Sequence, residues 1–247
     1  MRQQFISDDL KQITFLDERY YKYNDIYLPS VTFILDVYPK GFGFNQWLKD
    51  VGDKATEIAN RAAERGSTVH NAIEMLIKNK ELRWLDDNGN NIYSEEEWVM
   101  ITRFSDFWNR FKPALIGNEI KVYSVTLGYA GTVDLIVVMN GVTWLLDIKT
   151  SNYIHKTHYM QIAAYAKAWN ELNENKVYKI GVLWLNSSTR TEGKNGAIQG
   201  NGWQLKEPTE SIDEIFIGFQ HTHEIWKLEN PDPRPKNVIY STILKLN

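Results

Sequence analysis

Between residues 120 and 149 the chain sets three apolar segments in a row, and their patterning differs from all that precedes them. "IKVYSVTLG" (120–128) alternates apolar and polar positions, the period-2 signature of a half-buried strand. "GTVDLIVVM" and "VTWLLDIKT" are nearly continuous and rich in β-branched residues, as buried strands are. Asn140-Gly141 between them is a two-residue hairpin signal. Beyond them the period shifts: "KTHYMQIAAYAKAWNEL" (156–172) reads as an amphipathic helix and "VYKIGVLWLN" (177–186) as a fourth strand. Upstream, residues 44–80 are helical text, with Gly66 read as a C-cap and Ser67 as the N-cap of a restarted helix. Ser94 caps a further helix over 94–111, with acids in its first turn. Ser30 is an N-cap for a short helix ending near Pro39, "KGFGFNQ" (40–46) reads as a turn, and "DDNGNN" (86–91) as a turn or hairpin tip. Residues 1–28 are polar and Tyr-rich and read as irregular or weakly paired. Residues 187–202 read as a loop or long hairpin tip, and 208–229 as a helix stopped by "NPDPRP".

Helices, an antiparallel three-strand meander, a helix and another strand predict an α/β fold with one mixed sheet flanked by helices. The crossover helix lets the fourth strand run parallel to a neighbour. One domain over residues 1–247 is expected: an N-terminal segment (1–43), a helical region (44–113), the sheet and its following helix (119–186), and a loop, C-terminal helix and tail (187–247).

Composition narrows the chemistry. Hydrophobic residues make up 43% and charged residues 24%, with nine Trp and thirteen Tyr, so a sizeable core is feasible. The absence of cysteine excludes disulfides, thiolate metal sites and cysteine nucleophiles. The net charge of −3 is not the basic balance of a protein that coats duplex DNA. A nucleic-acid partner is then held by a local basic groove or a metal. "MRQQFISDDLKQ" has neither the apolar core of a signal peptide nor the acid-free character of a transit peptide, and no apolar stretch approaches the roughly 20 residues needed to span a bilayer. A cytoplasmic protein without a membrane partner is expected.

The candidate chemistry lies on the two buried strands. Asp134 is on the first, and Asp147 and Lys149 are on the second, two apart and so on one face. The tight turn brings these strands together, although sequence does not fix their register. Carboxylates and an ammonium on an otherwise buried sheet are costly unless partnered. A divalent cation is the obvious partner, and carboxylate oxygens suit Mg²⁺ or Mn²⁺. Such an ion polarises a phosphate, with the Lys orienting a water or stabilising charge on the phosphate. A D-x-K at a strand end is, by itself, most often a solvated edge. The combination is sharper: Gly128, Gly131 and Asp134 in G-x-x-G-x-x-D, a hairpin, then D-x-K-T-S, then Gln161 and Tyr165 four apart on the next helix.

This arrangement resembles the RecB-like branch of the PD-(D/E)xK nuclease superfamily. Val133 stands where that name has Pro, and the second acid is Asp147 rather than Glu. "ERGSTVHNAIEML" (64–76) resembles the upstream helix of the family through Gly66, His70 and Glu74. "LPSVTFIL" and "MQIAAYAKAWN" are similar to segments of the mitochondrial genome maintenance exonucleases and their phage and bacterial relatives, over about residues 28–185. The resemblance implies a restriction-endonuclease-like core and a metal-dependent exonuclease acting on ends of single-stranded DNA. It implies Asp134, Asp147 and Lys149 as catalytic residues, and His70, Asp134, Asp147 and the Ile148 carbonyl as ligands of Mg²⁺ or Mn²⁺. Thr150, Ser151, Gln161 and Tyr165 then position the DNA backbone. Glu74 is either a further member of the site or a solvated helical acid. It also implies a bacterial or phage-infected cell as the setting. Two alternatives stay open: an endonuclease acting on flaps or branches, and a catalytically silent DNA-binding partner.

Several weaker candidates complete the set. His155 and His158 flank the start of the Gln161 helix, where either can touch phosphate or simply lie at the surface. Lys54, Arg61 and Arg65 form either a basic strip or an ordinary solvated face. Tyr129 and Tyr153 are candidates for base stacking. His221 and His223, two apart on a helix, cannot share a face to hold a metal.

Overall fold

The computed structural model describes residues 11–15, 18–186 and 202–235. A five-stranded mixed sheet lies at its centre, with strands in the order β4 (Ala114–Ser124), β5 (Tyr129–Met139), β6 (Val142–Lys149), β7 (Lys179–Trp184) and β8 (Gln204–Lys206). Neighbours run antiparallel except β6 and β7, which are parallel. A parallel step needs a crossover, and α5 (Lys156–Leu172) supplies it. Asn140 and Gly141 close the β5–β6 hairpin with φ of 50° and 77°, the two left-handed positions a tight hairpin turn demands.

Both faces of this sheet are covered, which is why β5 and β6 read as continuous apolar runs. On one face α1 (Val31–Leu35), α5 and α6 (Ile212–Glu229) pack Ile34, Ile162, Phe219 and Trp226 against Val133, Leu145 and Val182. On the other, α3 (Ala55–Ile77) and α4 (Glu95–Phe111) pack Val69, Ile73, Phe104 and Phe107 against Leu135, Val137 and Leu146. Ser30 caps α1 by accepting the Phe33 amide at 3.1 Å, and Ser94 and Glu97 form a reciprocal capping box at the start of α4. Ser211 and Glu214 do the same for α6.

Four expectations need correction. The described residues of the 1–28 segment are regularly paired: β1 (Lys11–Phe15), β2 (Glu18–Tyr23) and β3 (Ile26–Pro29) form an antiparallel sheet. β2 buries Tyr20 and Tyr21 together, so no two-residue alternation advertises it. Residues 41–46 are not a turn, because α2 runs over Gly41–Val51. The helix does not break at Gly66. α3 passes straight through it, and the break falls at Gly52, whose φ of 55° stops α2. Ser67 caps nothing; its hydroxyl donates back to the Ala63 carbonyl within the helix. Strand β4 starts and stops earlier than the alternation suggests, ending at Ser124 where a turn to Gly128 begins. β8 pairs with β7 beyond the segment read as a loop, and residues 187–201 of that segment lie outside the described residues.

Candidate active site

Asp134 sits where the sheet forks. β5 pairs with β4 as far as Tyr129, but its pairing with β6 ends at Leu135–Leu146. One further step of that register sets Asp134 opposite Asp147. On its other side the pairs Asn118–Leu135 and Ile120–Val133 bracket Glu119 opposite Asp134. Glu119, Asp134 and Asp147 therefore form a row across three strands. The pleat of β5 is interrupted at this point. Val133 packs on the α5 side and Leu135 on the α3 side, although regular alternation would put both on one face. In place of a ladder bond, the Ile148 amide donates to Asp134 Oδ2 at 2.6 Å.

α3 brings His70 to the same point. Its Nε2 lies 3.1 Å from the Ile148 carbonyl oxygen, and its Nδ1 lies 3.8 Å from Asp134 Oδ1. His70, Glu119 and Asp134 each offer one ligand atom, all within 4.8 Å of one another. Glu119 was absent from the residues singled out in the sequence. It lies in "LIGNEIK", which carries no catalytic spacing, and only its register opposite Asp134 reveals it.

The electrostatics follow from burial. Asp147 is 3% exposed, and desolvation raises its pKa; Lys149 opposes that shift and Asp134 adds to it. Desolvation works against the charge of Lys149, but Asp147 and Asp134 more than offset it, so its pKa ends above the ordinary lysine value. Lys149 Nζ donates to Asp147 Oδ1 at 3.1 Å. It also lies 2.9 Å from Oδ2, yet Oδ2 is buried with no hydrogen-bond partner. Glu119 is exposed as a whole residue, but its carboxyl is desolvated beside Asp134, and both effects raise it to about 7; His70 opposes them.

α5 fixes the lysine. Lys149 Nζ donates to Gln161 Oε1 at 3.3 Å, and the Gln161 amide donates to the Tyr165 hydroxyl at 3.2 Å. Tyr165 in turn rests on bare backbone: a Cβ built on Gly131 would stand 2.1 Å from Tyr165 Cε1. A Cβ on Gly66 would stand 3.3 Å from Thr150 Oγ1, so this glycine serves the approach of α3 to the end of β6 rather than a helix cap.

These groups line a cleft of about 680 Å³. His70, Glu74, Asp134, Asp147, Lys149, Thr150, Gln161 and Tyr165 all face it, joined by Glu119, Arg19 and Lys121. Glu74 is also ion-paired with Lys78. Ser151 is not part of that lining, and its hydroxyl donates to the Tyr153 carbonyl. Lys54, Arg61 and Arg65 do not line it either; Arg61 pairs with Glu57 at 2.5 Å and Arg65 with Glu96 at 2.6 Å. His155 and His158 line a second, adjoining cleft. Tyr129 cannot stack on a base, because it is wholly buried and donates its hydroxyl to the Ala164 carbonyl at 3.0 Å, whereas Tyr153 is 72% exposed. His223 is buried among Tyr129, Phe219 and Trp226, away from any ligand cluster.

No family model and no curated protein matches the chain. Among solved structures, a crystal structure from Eubacterium rectale named "Putative exonuclease" is similar, with 12% identity and a TM-score of 0.41. The match covers 75% of this chain and 76% of that one. No helix among the described residues is long and apolar enough to cross a membrane.

Proposed function

We propose that the chain is a Mg²⁺- or Mn²⁺-dependent deoxyribonuclease of the RecB-like branch, hydrolysing phosphodiester bonds from free ends of single-stranded DNA. One observation carries this proposal: the row of Glu119, Asp134 and Asp147, with His70 above it and a buried Lys149 beside it, all facing one cleft.

The donor set fits a hard divalent cation. It offers carboxylate oxygens, one imidazole and a main-chain carbonyl. Asp147 Oδ2 is buried with the Lys149 ammonium 2.9 Å away but accepts no hydrogen bond, so it keeps lone-pair capacity for a cation. The 3.1 Å between His70 Nε2 and the Ile148 oxygen suits a hydrogen bond; it also matches the ~3 Å between adjacent ligands of an octahedral Mg²⁺. His70, Glu119, Asp134, Asp147 and the Ile148 carbonyl would hold the ion. When bound, it supplies charge stabilisation at a phosphoryl oxygen and lowers the pKa of a water.

The protein's own groups set the rest. Lys149 is held as an ammonium by Asp147, so it donates rather than accepts a proton. It orients the attacking water from Nζ and stabilises charge gathering on the phosphate oxygens. Gln161 and Tyr165 hold that Nζ in place. Thr150, Arg19 and Lys121 line the cleft where the flanking backbone phosphates pass.

The test is an end-labelled single strand incubated with Mg²⁺ or Mn²⁺. Asp147→Ala and Lys149→Ala should each lower cleavage by on the order of 10³-fold, with circular dichroism unchanged. Metal-dependent degradation at the parent rate by either variant would sink the proposal. A circular single strand left intact supports action from ends; its cleavage would favour an endonuclease.

A further inference from the structure

A second cleft of about 550 Å³ opens off the first, and the two share Thr32, Lys149 and Gln161 in their linings. His70, Glu119, Asp134 and Asp147 line the first cleft only. The clefts therefore meet at Lys149, with the proposed metal ligands on one side of the junction and the second cleft on the other. A strand whose phosphate sits at Lys149 has its next nucleotide at the mouth of that second cleft.

Its walls have the chemistry of an unpaired nucleotide seat. Lys156, in the first turn of α5, contributes an exposed ammonium, and that turn contains no acid. Asp36, the one acid of the lining among the described residues, is paired with Lys40 at 3.2 Å. Phe44, 41% exposed, presents an aromatic ring from α2, with Trp47 tilted beside it at 5.7 Å between centroids. α2 buries none of its residues, so Phe44 supports no core. Aromatic rings beside cations are how proteins grip single strands: the ring stacks on a base and the cation follows the backbone. A base inside a duplex has its faces covered by its neighbours and cannot offer one to such a ring.

We propose that this second cleft seats the unpaired nucleotide adjoining the scissile phosphate, with Phe44 stacking on its base and Lys156 pairing with its phosphate, and that it thereby selects single-stranded over duplex substrate. The proposal rests on the nuclease reading above.

The experiment compares kcat/KM on an oligothymidylate of about twelve nucleotides, single-stranded and annealed to its complement, with Mg²⁺ or Mn²⁺. The parent is expected to have the lower KM on the single strand. Phe44→Ala and Lys156→Ala should each reduce the single-over-duplex ratio by roughly tenfold, through KM on the single strand. Both residues are solvent-accessible and support no core packing, so folding should persist, as circular dichroism will show. Unchanged ratios in both variants would overturn the inference alone, and so would losses confined to kcat. A parent that cleaves neither substrate would overturn the nuclease reading and this inference together.

Discussion

Glu119 holds its backbone at φ 50°, a left-handed conformation that costs an ordinary residue about 1 kcal/mol or more. That conformation sits in the middle of β4, opposite Asp134. The cost is repaid only if the carboxylate is wanted there. As it stands, crowding by Asp134 and desolvation raise its pKa to about 7, the behaviour of acids sharing a site without a counter-ion. A bound cation would reverse that crowding and stabilise the folded state by mass action. At a metal concentration a hundredfold above Kd the gain is roughly 3 kcal/mol, read as a rise in Tm. The metal-induced rise should be clear in the parent with Mg²⁺ or Mn²⁺ and at most half as large in Glu119→Gln. An equal rise in both proteins would remove Glu119 from the ligand set. This measurement needs no DNA and no turnover, so it tests the metal site independently of cleavage.

At the scale of elements, the site depends on how closely α5 lies on β5. Gly131 permits that contact, because any side chain there would strike the Tyr165 ring. Gly131→Ala should therefore displace Tyr165, and with it Gln161 and the hold on Lys149. The expected loss is about 1–3 kcal/mol of stability, by the usual cost of overpacking, together with a fall in nuclease activity. Urea denaturation and the end-labelled assay check the two effects. A variant matching the parent in both would show that α5 yields without consequence. The G-x-x-G-x-x-D spacing was visible in the sequence, but the reason for Gly131 was not. A glycine marks a turn, a cap or a close approach with the same letter, and only the backbone angle and the neighbouring atoms distinguish them. Gly66 is such a case: its letter suits a cap, yet it lies inside α3, and the helix break is at Gly52. The hairpin at Asn140-Gly141 and the limits of α5 were legible because turn chemistry and helical period are local. The β1–β3 sheet was not, although its strands pair with their sequence neighbours, since β2 buries two adjacent tyrosines and so shows no alternation. Glu119 was hidden for a related reason, as its partner lies fifteen residues along the chain, across a turn whose register the sequence leaves open.

For the whole molecule, the two apolar layers meet the charged row only at the fork of the sheet, so the protein keeps its buried charges in one place. Elsewhere among the described residues burial disfavours charge, and His223 is the clearest case. It is 4% exposed, with its ring packed among Tyr129, Phe219 and Trp226 at centroid distances of 6.2, 5.7 and 6.0 Å. Burial first and Lys227 second lower its pKa to about 4, with Glu224 partly opposing the shift. The unfolded chain takes up this proton near pH 6.5. Above that pH both states are neutral and the packing stabilises fully. Between pH 6.5 and 4 the unfolded state binds the proton while the folded state does not, so stability falls as pH drops. The contribution of His223 to that loss is roughly 3 kcal/mol by pH 4. His158, lowered to about 3 by burial, Lys149 and His155, acts in the same direction, so His223 accounts for only part of the acid sensitivity. Urea midpoints at pH 7 and pH 4.5 should fall much less in His223→Leu than in the parent. Comparing each protein with itself removes any constant cost of the substitution. Equal falls in the two proteins would mean that the His223 ring takes up its proton without opening the layer of α6 against β5.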